Sequence, residues 1–220
     1  MKTSSWWAMG LVLSASVAQA QGNLQASMAK LDAASAQFKS VQADFHKVFH
    51  HGPSLPIPDE TQDGKIYVMR VAGKPQFGIL TLGADSRTVQ YMNGSLKAYN
   101  PKIKCYDPVN GGSKIEAGLT LGFGGSGKEM QAAWNVTDLG PETLDGAKVE
   151  KLDLTPKDQS VRSNIEHVTL WILLDRGYAL KQVLYAPGGD VQTAVYTNIR
   201  YNENKVDTKP FEFNSKPCGK

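Results

Sequence analysis

Three glycines and a lysine in the middle of the chain have the spacing of phosphate-binding loops. In LTLGFGGSGKEM, residues 119–130, Gly122, Gly124 and Gly127 follow the Gly-x-Gly-x-x-Gly pattern of dinucleotide-binding turns. Gly122, Gly127 and Lys128 also match a P-loop, except at the last position of that motif. Glycines let a backbone approach a phosphate closely, and a lysine neutralises part of its charge. Taken alone, this stretch predicts a nucleotide-binding site.

The residues around the motif argue against that interpretation. A P-loop needs Ser or Thr after the lysine to hold magnesium, but this position is Glu129, whose carboxylate repels phosphate. A dinucleotide-binding turn lies between a buried parallel strand and a long helix. Here the preceding residues read SKIEAGLTL, and the surrounding segments alternate like antiparallel strands. We therefore expect a connector between short elements, with no nucleotide or other cofactor.

Other residue combinations that could support catalysis or metal binding are equally weak. His46, His50 and His51 are close in sequence, but no cysteine or carboxylate lies at a recognisable ligand spacing from them. We expect exposed imidazoles and no metal. The chain has no G-x-S-x-G or H-E-x-x-H motif, and its carboxylates mostly occupy turns or alternate with lysines. The sequence therefore predicts that the protein is not an enzyme.

The first twenty residues predict export from the cytoplasm. MKTSSWWAMGLVLSASVAQA combines an early lysine, an apolar run from Trp6 to Val17, and a small-x-small ending. The apolar run is too short to span a bilayer comfortably. We expect cleavage after Ala20, so that residues 1–20 are a signal peptide and residues 21–220 form a single periplasmic domain. An uncleaved N-terminal anchor is the alternative.

Composition limits the partners of the mature chain. The formal charge is +3 and removal of Lys2 lowers it by one, which is too little for a nucleic-acid-binding surface. After residue 20 no segment is long and apolar enough to cross a membrane. Cys105 and Cys218 form a plausible disulfide in an oxidising compartment. Two free thiols are the alternative, because spacing alone cannot show that the two residues are close.

Periodicity predicts one helix followed by a mainly antiparallel β structure. Leu24, Met28, Leu31 and Phe38 mark one helical stripe, and residues 41–49 alternate as a strand. A proline-rich loop over 50–64 comes next. Turn residues such as MNGS, LDGA and PGGD then separate nine further strands: 65–71, 77–82, 88–92, 95–100, 133–140, 147–156, 166–175, 178–185 and 191–202. Residues 112–133 interrupt them and include a short helix, KEMQAAW.

The order of these pieces resembles the LolA family of periplasmic outer-membrane lipoprotein carriers. The resemblance covers nearly all of the mature chain and rests on a series of stretches in the family's order: the helix, then KSVQADFHKVF, GKIYVMR, MNGSLKAYNP, LTLGFGGSG, GPETLDGAKVEKLDLTPK, LWILLDRGYALKQV and NIRYNENKVDTKPFEF. It implies an α+β fold in which a strongly curved, unclosed antiparallel β-barrel and a helical lid enclose an apolar cavity.

The same resemblance implies the function and the partners. Family members are monomers that take acylated lipoproteins from an inner-membrane ABC exporter to an outer-membrane acceptor, so we expect lipoproteins or another lipid as cargo. Related folds serve as lipid-sensing or glycolipid-binding modules of the cell envelope, which is the alternative function. The residues expected on the cavity wall are Phe45, Ile66, Val68, Phe77 and Ile79. In 167–174 both strand faces are apolar, so the inner face cannot be assigned.

Arg70 is the polar exception on this expected wall. It shares strand parity with Ile66 and Val68, and an arginine on an apolar face is costly unless its donors are satisfied. By resemblance it reaches carbonyl groups of the lid and holds the empty cavity shut. An arginine that ends its strand in solvent is the alternative. The family has proline directly after this arginine, whereas here VAG precedes Lys74 and Pro75, so the local turn differs.

Overall fold

A long helix opens the described part of the chain. The computed structural model of the protein describes residues 15–53, 57–109 and 121–219. Helix α1 (Ala15–Gln37) contains Leu24, Met28 and Leu31 of the predicted stripe, whereas Phe38 follows the helix; Met28 and Leu31 are buried. The predicted cleavage site after Ala20 lies within this helix, so cleavage would leave residues 21–37 with both buried side chains. Most of the predicted signal peptide, residues 1–14, lies outside the described residues.

Twelve strands form one sheet. They are β1 (Ser40–His50), β2 (Glu60–Val71), β3 (Lys74–Thr81), β4 (Arg87–Met92), β5 (Ser95–Asn100), β6 (Cys105–Val109), β7 (Trp134–Leu144), β8 (Ala147–Pro156), β9 (His167–Leu173), β10 (Tyr178–Tyr185), β11 (Val191–Tyr201) and β12 (Lys216–Pro217). Two short α-helices, α2 (Gly127–Ala133) and α3 (Gln159–Arg162), and a 3₁₀ turn (Lys209–Phe211) complete the described elements.

The sheet is an unclosed meander. Its strand order is β12-β6-β5-β4-β3-β2-β1-β11-β10-β9-β8-β7, so β1 joins the two halves by pairing with both β2 and β11. Strands β7 and β12 form the two edges and do not pair with each other. All pairs are antiparallel except β12 with β6, which is parallel. This architecture confirms the unclosed, curved LolA-like fold expected from the sequence.

The side of the sheet that faces α1 is the inner face, and it carries two apolar clusters. Alternation of side chains along each strand places one set of residues on this face. The first cluster fills the half formed by β1–β5 and β11, and it includes Phe38, Phe77 and Phe123. The second lies beneath α1 on β7–β9, where Val168, Leu170 and Ile172 face the lid side. The orientation of 167–174, which the sequence left open, is therefore resolved, with Trp171 in a separate outer cluster.

The outer face of β1–β6 is covered by residues 202–219, the C-terminal segment. Its Phe211 packs edge-on against Tyr67, with ring centres 4.7 Å apart, and its Phe213 stacks on Tyr99 at 4.9 Å. A disulfide joins Cys105 of β6 to Cys218. The C-terminal segment is thus fastened to the sheet edge by covalent and aromatic contacts.

Most helices and strands of the structure were predicted from the sequence, and a few short ones were not. The long helix, the short helix near 128–134 and all ten predicted strands are confirmed, whereas β6, α3 and the short β12 were not predicted. Parts of the predicted loop and connector, residues 54–56 and 110–120, lie outside the described residues. Within the described part of the chain, every helix is too short or too polar to cross a lipid bilayer.

Candidate functional site

The residues predicted for the cavity wall come together on the inner face. Phe45, Ile66, Val68 and Phe77 are all buried in the first apolar cluster, and Ile79 packs against it partly buried. The register explains this, because Phe45 lies opposite Gly64 of β2, whose missing side chain leaves room for the Phe45 ring. The inner face is therefore apolar along much of β1, β2 and β3.

A cavity of about 370 Å³ opens between this face and the lid, which we define as α1 together with residues 121–133. That volume lies within the range of roughly 300–1,000 Å³ found for small-molecule sites. Of the predicted residues, Val68 and Arg70 line it, together with Phe38, Gly73, Pro75, residues 121–126, Glu129, Met130, Ala133 and Trp134. The other predicted wall residues do not reach it, since Phe77, for example, stacks on Tyr91 at 5.2 Å. The space deeper in the sheet is filled by side chains.

Arg70 joins the sheet to the lid through three hydrogen bonds. Its Nη1 donates to the carbonyl of Ser35 at 3.0 Å, and its Nη2 donates to Ser35 Oγ at 2.9 Å and to the carbonyl of Gly124 at 2.8 Å. Ser35 Oγ also donates to the Gly124 carbonyl at 2.9 Å. The guanidinium is half-buried. Its planar set of donors reaches two parts of the lid at once, Ser35 in α1 and Gly124 in residues 121–133.

The turn after Arg70 accommodates the residues that depart from the family pattern. Val71 pairs with Lys74, so Ala72 and Gly73 form a two-residue hairpin turn, and both have positive φ angles, 50° and 77°. This is the turn geometry that suits the twist of antiparallel strands. Arg70 therefore lies inside the strand pair, opposite Pro75, and not at a frayed strand end.

The glycine motif forms the underside of the lid. Gly124 has φ of 76°, and a Cβ there would collide with the Phe38 ring. A Cβ on Gly127 would collide with the backbone of Met28 in α1. Glycine is required at 124 because the backbone passes close to the Phe38 ring, and at 127 because it passes close to α1. This agrees with the expected connector role of the segment.

Glu129, which replaces the P-loop Ser or Thr, caps α2. Its carboxylate accepts a hydrogen bond from Ser126 N at 2.9 Å, while Ser126 Oγ accepts one from Glu129 N at 3.1 Å. This reciprocal capping box satisfies backbone donors at the start of the helix. The sequence interpretation missed it, although S-x-x-E is a recognisable signal. The cavity's Ser126 and Glu129 are thus engaged with each other.

A second attachment holds the middle of α1. Ser27 Oγ donates to Asp138 Oδ2 of β7 at 2.7 Å, and Glu150 of β8 lies beside Asp138 on the same side of the sheet. Burial raises the pKa of Glu150 to about 7, and a hydrogen bond and charge repulsion from Asp138 add to this, whereas Lys30 of α1 opposes it. This carboxyl pair is not apparent from the sequence, because Asp138 and Glu150 lie on different strands.

The histidines considered for metal binding each face a carboxylate on the strand pair β1–β2. His46 Nδ1 lies 2.8 Å from Asp63, and His50 Nδ1 lies 2.8 Å from Asp59. Among the described residues, no group of three or more potential ligands could hold a metal ion. The imidazoles of His46 and His50 are exposed as expected, whereas His51, which lies 3.6 Å from Glu60, is half-buried and departs from that expectation.

Comparison with known proteins extends the fold assignment. The sequence matches no protein-family model, and no curated protein matches it either. Solved structures with the same fold include an uncharacterized conserved protein from Thermus thermophilus, at 9% identity and a TM-score of 0.55, covering 87% of this chain and 94% of that one. Mycobacterium tuberculosis lipoprotein LppX matches at 15% identity and a TM-score of 0.50, covering 84% and 98%.

MucB is a further structural relative. Its structure matches at 16% identity with a TM-score of 0.53, covering 86% of this chain and 62% of MucB. The structure of the Pseudomonas aeruginosa MucA/MucB complex matches at 15% identity and a TM-score of 0.50, covering 85% and 60%. This chain thus spans less than two thirds of the MucB chains it matches. At these identities the comparisons establish the fold.

Proposed function

We propose that the protein is a periplasmic carrier that shelters the acyl chains of lipoproteins, or another lipid, on its inner face. The observation that carries this proposal is the lid, which Arg70 holds over an apolar face through donors to Ser35 and Gly124. An exposed hydrocarbon chain costs roughly 0.8 kcal/mol for each CH₂, so cargo of this kind needs an apolar shelter to cross water.

Arg70 makes the shelter reversible in this scheme. Cargo that enters beneath the lid separates the lid from the sheet and breaks the hydrogen bonds of the guanidinium. Hydrogen bonds to charged groups are worth roughly 1.5–3 kcal/mol each. Their recovery when cargo leaves offsets part of the hydrophobic gain of loading, so the lipid stays transferable.

The proposed route begins at the inner membrane and ends at the outer membrane. The signal peptide, cleaved after Ala20, directs the chain to the periplasm. A monomeric carrier then receives cargo from an ABC exporter and passes it to an outer-membrane acceptor. Binding rather than catalysis is proposed, because the polar groups of the cavity, Arg70, Ser126 and Glu129, are engaged in holding the lid and capping α2.

The test is to purify the mature protein from the periplasm and identify what accompanies it by mass spectrometry. A neutral, apolar fluorescent probe is then added, and long-chain lipids are titrated against it. The carrier proposal predicts co-purified acyl lipid and competitive displacement of the probe. A protein that binds neither probe nor lipid under any condition is not a carrier.

A lipid-sensing or accessory module is the second candidate. The similarity to MucB, one of whose structures is a complex with MucA, supports this possibility. A sensor must form a stable complex with a defined protein partner, whereas a carrier exchanges cargo as a monomer. Size-exclusion chromatography of the periplasmic protein separates the two, since a co-eluting polypeptide in fixed ratio favours the module and a lipid-loaded monomer favours the carrier.

A further inference from the structure

Lys47 is a cation on the inner face. Val41, Ala43 and Phe45 alternate along β1 and are buried in the first apolar cluster. Lys47 is the next residue with the same parity, so its side chain leaves the strand on the same side of the sheet. Its neighbours in the register are Gln62 of β2 and Ala194 of β11, neither of which carries a charge.

Among the described residues, the ammonium group of Lys47 has no counter-ion. Nζ lies 4.8 Å from the centre of the Phe45 ring, and within residues 15–53, 57–109 and 121–219 no carboxylate or hydrogen-bond acceptor contacts it. By contrast, Lys65 is 2.7 Å from Asp44 on the outer face. The nearest carboxylate on the inner side of β2, Glu60, lies opposite Phe49 and faces His51 at 3.6 Å.

This environment is costly for a positive charge. Burial lowers the pKa of the Lys47 ammonium, because the charged form loses hydration without gaining a counter-ion. A charge that is partly removed from water is ordinarily paired, so an unpaired, half-buried lysine on an apolar face is unusual. The contact with the Phe45 ring compensates only in part, since such contacts are worth roughly 0.5–2 kcal/mol.

Lys47 stands at one end of a continuous apolar strip. On β2 the inner residues run from Arg70 at the lid through Val68 and Ile66 to Gln62, which lies opposite Lys47. Eight residues of strand correspond to about 26 Å, so the two cations are far apart. Lys47 is only half-buried, so a ligand can reach it from the end of the sheet that is remote from the lid.

We propose that Lys47 binds the anionic head group of an amphiphile whose hydrocarbon chain, once the lid has opened, displaces the side chains packed on Phe45, Ile66 and Val68 and lies along that strip. The head group is a carboxylate or a phosphate monoester, since either supplies the missing counter-charge. This proposal rests on the proposed lipid-binding function and narrows it to anionic lipids. It also assigns Lys47 a different task from Arg70, whose donors are already satisfied.

The test compares three ligands with the same hydrocarbon chain: hexadecanoate, hexadecyl phosphate and hexadecanol. Each displaces a neutral apolar fluorescent probe from the mature protein, and the inhibition constants are compared. At least one anion should bind about tenfold more tightly than the alcohol, as one charged hydrogen bond provides. The carboxylate and the phosphate arms identify which head group is preferred.

Lys47→Met should remove the preference and leave the affinity for hexadecanol unchanged. Lys47→Gln provides a second variant with a polar side chain. Lys97→Met is the matched control, because Lys97 is also half-buried and also lies over an aromatic ring, 4.9 Å from the centre of Tyr106, but on the outer face. The control should keep the wild-type preference.

The possible outcomes distinguish a failure of the Lys47 site from a failure of the carrier function. If no ligand and no probe binds, the carrier function fails and the Lys47 site fails with it. If hexadecanol binds as tightly as both anions, or if both Lys47 variants retain the preference, the carrier function stands and the Lys47 site is wrong.

Discussion

The two cations of the inner face, Arg70 beneath the lid and Lys47 at the remote end, have opposite environments. Arg70 donates three hydrogen bonds of 2.8–3.0 Å to Ser35 and Gly124, whereas the Lys47 ammonium lies over the Phe45 ring and meets no acceptor in the part of the chain that the structure describes. A satisfied cation on an apolar face is explained by the structure that it holds together. An unsatisfied one is explained by something that it has yet to bind. A cation on the apolar inner face therefore has two interpretations: Arg70 indicates a closure at the lid, and Lys47 indicates the proposed binding site at the remote end.

The largest expected effect is on the stability of the sheet that carries both Arg70 and Lys47. The disulfide between Cys105 and Cys218 closes a segment with a sequence separation of 113 residues. In the chain-entropy model, a loop of about 100 residues corresponds to roughly 4.7 kcal/mol. Replacing both cysteines by serine should lower the free energy of unfolding by up to this amount in urea titrations. Thiol titration of the unreduced, unfolded wild type should find no free thiol, and two titratable thiols would contradict the bridge.

The second prediction concerns the packing of the lid at Gly124. Gly124→Ala should destabilise the protein by about 2–4 kcal/mol, because a Cβ at φ of 76° is strained and collides with the Phe38 ring. Gly125→Ala is the matched control, since nothing lies within 4 Å of its added Cβ. The control should change stability by less than about 0.5 kcal/mol. Equal losses in urea titrations of the two variants would show that close packing against α1 is not what requires glycine at 124.

The sequence alone could predict the sheet and the position of Arg70 on an apolar strand face, because both follow from the alternation of side chains along a strand. A period of two marks strands, and an arginine in parity with Ile66 and Val68 stands out by inspection. Lys47 has the same parity as Phe45, but parity alone does not show whether its ammonium group has a counter-ion. The distinction between the two cations could not be predicted, since the acceptors of Arg70 are on α1 and in the glycine segment, far away in sequence.

The cavity itself was harder to predict than the fold. Parity places Phe45, Phe77 and Ile79 on the inner face, but only the packing of facing rings decides whether a side chain lines open space or fills it. Phe77 fills it by stacking on Tyr91. Glu129 was interpreted only as a departure from the P-loop, whereas the structure shows that it forms a capping box with Ser126.

The third prediction tests whether Arg70 acts as a closure. Arg70→Leu removes the three hydrogen bonds and adds apolar surface to the cavity, so loaded protein should release lipid to an acceptor about tenfold more slowly, equivalent to roughly 1.4 kcal/mol. Arg70→Lys keeps the charge but loses the planar fork, so it should shift release in the same direction. Arg87→Leu, an exposed position on β4, is the control. Release by Arg70→Leu at the wild-type rate would leave Arg70 with no role in closure.

The smallest effect distinguishes the two attachments of α1. The attachment through Arg70 involves hydroxyl and carbonyl acceptors and no carboxyl group. The attachment through Ser27 and Asp138 adjoins Glu150, whose pKa is raised from 4.5 to about 7. The folded state therefore holds this proton more tightly than the unfolded state does. The resulting stability is complete below about pH 4.5, decreases as pH rises towards about 7, and is absent above that range.

Glu150→Gln should remove this pH dependence, because an amide cannot ionise beside Asp138. The melting temperature of the wild type should fall between pH 5 and pH 8 by more than that of the variant does. Glu142→Gln on the neighbouring strand β7 is the control. The pKa of Glu142 shifts in the opposite direction, because hydrogen bonds from Lys151 and then Trp171 lower it. Its stabilising contribution is lost as the pH falls into the acidic range, so that substitution should leave the interval from pH 5 to pH 8 nearly unchanged. If Glu150→Gln melts in parallel with the wild type across this interval, the carboxyl pair does not couple to folding, and α1 is held equally at all pH values.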